Sequence, residues 1–176
     1  MALLFHDLTP RTRELMLCEI ELDEASSGLY LSSYLNHGGR VAYPPLLKES
    51  ARSGSDSSLA ANLRAAHAFS SHYMRSHPKG ISMVRASVPH TAPETLSQSQ
   101  FNMYYIRALC IRATEEGREM QVYRARTSEN PRPESERMIG SHLDPERVLR
   151  ALRDTKGVNP PIGIPMPNSG LSVRLL

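Results

Sequence analysis

The sequence predicts an α+β fold: a helical N-terminal part, a small β-sheet packed on one long apolar helix, and an extended Pro-rich C-terminal arm. Three observations carry that expectation. The segment at 101–113, FNMYYIRALCIRA, places apolar residues on every side of a helix. At about 100° per residue Phe101, Tyr105, Ala108 and Leu109 cover one flank, and Met103, Ile106 and Cys110 cover the other, so the helix must be enclosed. Extended segments at 81–88 and 120–126 flank it, which suits a βαβ unit or a sheet with one helix on its face. The tail carries Pro160, Pro161, Pro165 and Pro167, yet ends on Leu171, Val173, Leu175 and Leu176. Apolar chain ends dock somewhere.

The elements follow in order. Thr9 as N-cap and Pro10 at the first helical position open a helix that runs to about residue 23 and stops in the Ser26-Ser27-Gly28 turn. Its last turns carry Glu19, Glu21, Asp23 and Glu24, the wrong sign for a helix C-terminus, and call for a basic partner. Residues 29–35 read as extended, with a turn at Asn36-His37-Gly38-Gly39, then a second helix over 45–53 stopped by Gly54. Asp56 caps a third helix at 57–69, with Leu59, Leu63 and Ala66 as its buried stripe. Residues 70–80 read as an exposed polar loop. Thr95 or Ser97 caps the long helix, which reaches Glu116 and ends at Gly117. A short helix is expected at 133–139. Asp144-Pro145-Glu146 is a strong start for another, with Val148, Leu149 and Leu152 inward. After the Asn168-Ser169-Gly170 turn, residues 171–175 alternate as a strand.

At 176 residues the chain fits one domain, read here as residues 1–157 with the arm at 158–176. Hydropathy offers no run approaching the roughly 20 apolar residues of a membrane span, and the N-terminus has no basic region before its short apolar run, so it does not read as a signal peptide. Cys18 and Cys110 both fall among apolar residues and read as two buried thiols of a reducing compartment. The expected location is cytoplasmic or virion, not secreted and not membrane.

The net charge of +3 conceals an imbalance: 18 of the 21 basic residues are arginine. Arginine favours forked pairing with carboxylates and phosphates. Arg107 sits among Met103, Tyr104, Cys110 and Ile111, where a guanidinium must find a carboxylate, reach water or meet another subunit; an acid of the first helix is the expected partner.

Catalytic signatures are missing. His67, His72 and His77 recur every five residues, which on a helix turns them about 140° apart, away from any shared metal. There is no phosphate-binding glycine loop, no nucleophile elbow and no Cys-x-x-Cys. None of the five aspartates falls in an expected strand, against a metal-dependent nuclease. The reading is therefore a non-enzymatic protein without cofactor or metal.

Two roles remain. The first is a structural or assembly subunit that self-associates, with Arg107, Leu171, Val173 and Leu175 as contacts between copies. Arms with apolar ends are common in shell subunits, phage capsid-associated proteins among them. The alternative is nucleic-acid binding through a strand face carrying Arg85, Arg124 and Arg126, with Arg132 just downstream.

Overall fold

A computed structural model describes residues 2–76, 83–127, 130–158 and 169–176. The fold is α+β, as expected, with helices first and β-structure interleaved later. Helix α1 (Pro10–Ala25) begins where Thr9 and Pro10 predict, the Thr9 hydroxyl accepting from the Thr12 N–H. Helix α2 (His37–Ser53) starts a full two turns earlier than its prolines imply, and carries Pro44 and Pro45 inside. The expected turn at 36–39 is instead its beginning: Asn36 is the N-cap, its Oδ1 accepting from Gly39 N–H at 2.7 Å. Burial of Tyr43, Leu47 and Ala51, one above the other at i, i+4 and i+8, outweighs the bonds the prolines remove. Gly39 is needed for a different reason, since a Cβ there would lie 1.9 Å from the Ala68 carbonyl oxygen. Helix α3 (Asp56–Ala65) is capped by Ser55 rather than Asp56, through a reciprocal bond pair with Ser58. It ends before Phe69, which forms a single bridge with Leu35.

Helix α4 (Ala92–Glu116) is the centre of the molecule. It starts earlier than expected, behind Thr91 with Pro93 in its first turn, and ends as expected at Gly117, whose left-handed φ of 64° favours glycine. Every residue from 101 to 110 is buried. Contacts with α1, α3 and later elements surround it, which is the physical content of an all-round apolar sequence. At about 1.5–3 kcal/mol for each large side chain, the burial of Phe101, Ile106 and Leu109 makes α4 a major source of stability.

The β-structure corrects two expectations. Residues 70–76 are not all loop: β1 (His72–Ser76) pairs antiparallel with β2 (Met83–Ser87) in a hairpin. The strand after α4, β3 (Met120–Arg124), belongs to a different sheet, so there is no βαβ unit. Its neighbours are β4 (His142–Leu143) and β5 (Leu171–Leu175), in the order β4-β3-β5 with both pairings antiparallel. That sheet packs on α4, the second of the two arrangements expected. Between its strands lie α5 (Pro133–Met138) and α6 (Pro145–Thr155); Asp144 Oδ1 accepts from Arg147 N–H at 3.0 Å, as its cap sequence predicts. The Pro-rich stretch at 159–168 lies outside the described residues, as does the end of the expected loop at 77–80. Among the described residues no helix is long and apolar enough to cross a membrane.

Candidate interaction surface

Three of the four acids at the end of α1, Glu19, Asp23 and Glu24, meet basic partners within the same chain. Arg107, 1% exposed, donates from Nε to Glu19 Oε2 at 2.7 Å and from Nη1 to Asp23 Oδ2 at 2.6 Å. Arg153 of α6 approaches Glu19 from the other side, 2.5 Å from its Oε1, and Tyr104 donates to Asp23 at 2.8 Å while its ring lies beneath the Arg107 guanidinium. Glu24 pairs with Lys48 of α2. Burial alone would raise the Glu19 carboxyl, but hydrogen bonds and charge from Arg153 and Arg107 outweigh it and hold the group below the usual carboxylate range. The expected ion pair with the first helix is present. Arg107 therefore fastens α4 to α1 inside the core.

Leu171, Val173 and Leu175 also lie inside the chain's own core, 1%, 0% and 6% exposed. The β5 strand docks on its own β3, with Val173 opposite Val122. Ladder bonds from Ala125 N–H to Gly170 and from Leu176 N–H to Glu119 turn the backbone of Leu171, Val173 and Leu175 to the outer edge. Side chains close much of that edge. Leu175 N–H donates to Asp7 Oδ2 at 3.0 Å, and Asn102 Nδ2 donates to the Leu171 carbonyl at 2.9 Å. An edge filled in this way is a poor template for another strand. The four residues expected to meet a neighbouring copy thus have intrachain partners.

The arginine-bearing strand face is not assembled. Arg85 sits on the hairpin, in a sheet separate from Arg124 and Arg126. Arg124 is paired with Glu136 and donates to the Ser169 carbonyl, and Arg126 donates to Gln98 Oε1 at 2.6 Å. Arg132 precedes α5 and is exposed.

What the sequence missed is the first strand of the hairpin and its pairing, the second strand falling within the expected 81–88. The register pairs Met74 with Arg85 and Ser76 with Met83, so His72, Met74, Ser76, Met83, Arg85 and Ser87 share one face. All six are exposed, Met74 and Met83 by 55% and 57%. The opposite face carries half-buried Tyr73, Val84 and Ala86, with Tyr73 set edge-on against Tyr34 at 4.7 Å. Arg85 donates to His72 Nδ1 at 3.2 Å, and among the described residues neither Arg75 nor Arg85 has a carboxylate partner. Even polarity and short length hid β1 inside the expected loop.

Reactive chemistry is sparse elsewhere. Among the described residues no group of His, Cys, Asp and Glu could hold a metal ion. Cys110 is buried, and burial pushes its thiol well above the usual range, away from nucleophilic use. Cys18, expected to be buried, is exposed on the outer side of α1, because the helix turns Leu15, Met16, Glu19 and Ile20 inward instead. A cavity of about 300 Å³ lies at the hairpin base between His67, Phe69, Val88 and His90, and one of about 240 Å³ lies between Asp56, Ala60, Glu94 and Gln98. In the second, Arg64 is already held by Glu94 through contacts of 2.6–2.9 Å. Comparison of the chain with protein-family models, curated proteins and solved structures found no match.

Proposed function

We propose that this chain is a non-enzymatic structural subunit that self-associates, of the kind that builds shells, capsids and their accessory parts. One observation supports the reading above others: a two-stranded hairpin with an entirely exposed face that carries two methionines. An isolated hairpin is marginal in water, and exposed methionines offer a soft, adaptable contact surface. A neighbouring molecule against that face would supply the third layer the hairpin lacks. The compact, ion-locked core behind it supplies the rigid body an assembly needs.

Nucleic-acid binding has less support, because Arg124 and Arg126 are engaged by Glu136 and Gln98 while Arg85 stands on a separate sheet. These three arginines do not converge, so the phosphate contacts they could make together would be few.

The test is the solution mass of the full chain by light scattering over a range of concentrations, beside the double substitution Met74→Ser with Met83→Ser. The expected result is a multimer whose mass falls towards the monomer in the double variant. A wild-type chain that stays monomeric throughout overturns the reading.

A further inference from the structure

Granting self-association, on which this step rests, we infer that the exposed hairpin face of one copy docks on the outer stripe of α1 of another. The hairpin face is basic and apolar. It carries Arg85 and His72 beside Met74 and Met83, and no acid, while Arg75 pairs with Val84 on the opposite face. The complementary surface must therefore be acidic and apolar, accessible, and of similar length.

The outer side of α1 meets all three conditions. Glu14, Cys18, Glu21, Leu22 and Ala25 are exposed and fall within an arc of about 100° on the helix. Leu22 is 56% exposed. Glu21 has no ion pair among the described residues, and Glu14 meets only Arg11, at 3.5 Å. Some surface acids are committed, Glu94 to Arg64, Glu115 to Arg11, Glu116 to Arg112 and Glu136 to Arg124. Exposed Glu49, Glu134, Glu146 and Asp154 have no ion pair among the described residues, and α1 is preferred over them because its Glu21 directly adjoins the exposed Leu22. The stripe from residue 14 to 25 is about 16 Å long at 1.5 Å per residue. Five paired residues of a hairpin span about 16 Å as well. Met74 and Met83 would lie against Leu22 and Ala25, with Arg85 beside Glu21.

The two patches are different surfaces, so the contact is heterologous: repeated, it closes into a ring or continues as a filament. A single contact of this size is weak, and accumulated contacts hold the assembly. Association should therefore be steep in concentration and weakened by salt, since charge pairing at an exposed interface is screened.

Charge exchange tests the pairing in the full-length chain. Arg85→Glu and Glu21→Arg should each weaken association by about tenfold or more, and the two together in one chain should restore it. Both positions are exposed, and circular dichroism verifies that each variant is folded. Cysteine pairing supplies a second readout: Met74→Cys with Leu22→Cys, in a Cys18→Ser background, should form disulfides between copies, seen as mixed cross-linked species when mass-tagged and untagged chains are combined and lost when either new cysteine is absent. Failure of rescue, together with no cross-link between copies, overturns this docking. If the wild-type chain still assembles in that case, the subunit reading stands and only the partner surface is wrong; if the wild-type chain is monomeric, both fall.

Discussion

The two sheets of this protein handle the same problem in opposite ways. Both expose strand edges, and both are small. In the β4-β3-β5 sheet, α4 covers the inner side, four of the five β5 residues are buried, and Asp7 and Asn102 side chains each take one backbone group on the outer edge of β5. In the β1–β2 hairpin one face is wholly exposed, and apart from Tyr73 on Tyr34 little of the chain leans on it. Polar groups satisfied from within make a strand part of the core, whereas unsatisfied apolar surface makes a strand part of the outside. The chain has spent its capping residues on the first sheet and none on the second.

Deleting residues 171–176 breaks the comparison most severely. Removing Leu171, Val173 and Leu175 forfeits roughly 5–9 kcal/mol of burial at about 1.5–3 each, against a total stability of about 5–15. The expected outcome is loss of cooperative unfolding in calorimetry. Replacing residues 71–88 with a short flexible link should cost only about 1 kcal/mol. Equal damage from the two deletions would show the hairpin to be as integral as the C-terminal strand.

Next in size is Glu19→Ala, which leaves Arg107 buried with Asp23 alone and should lower stability by about 3–5 kcal/mol in denaturant titration. The acid limb has a definite sign. Because the folded Glu19 carboxyl is depressed, its contribution is complete above the unfolded value of about 4.3 and is lost as pH falls below it. The wild-type chain should thus lose stability below pH of about 4 more steeply than Glu19→Ala.

Asp7→Ala sharpens the edge argument. Freeing the Leu175 N–H should cost about 1–2 kcal/mol, and the reopened edge should raise aggregation measured by light scattering. The smallest effect belongs to Met74→Ser with Met83→Ser: unfolding should shift by no more than about 0.5 kcal/mol while association falls. A large stability loss there would mean the methionines pack within the chain.

Much of the core was legible because its signals are local. Thr9-Pro10 and Asp144-Pro145 mark their helices by cap chemistry, the apolar envelope of residues 101–113 marks α4, and Arg107 announces a buried acid partner. Misread elements are those decided at a distance. Pro44 and Pro45 look like a helix start until Tyr43, Leu47 and Ala51 are seen to share a buried stripe, and Gly38-Gly39 looks like a turn until Ala68 is found against Gly39. The strands flanking α4 gave no hint that they belong to separate sheets, since partner choice is not written in either strand. The candidate surface was the least legible part. Three of the four expected contacts, Leu171, Val173 and Leu175, are apolar residues that the chain buries for itself, and the fourth, Arg107, is buried with its own acids.

The position of Glu19 has a mechanical consequence. This one carboxylate is gripped by guanidinium groups from two other helices, Arg107 on α4 and Arg153 on α6. A pull on the outside of α1 is therefore divided at once between two anchors set at different points of the chain. Sliding α1 lengthwise would strain both links, so a load applied there would reach α4 and α6 together rather than one helix alone.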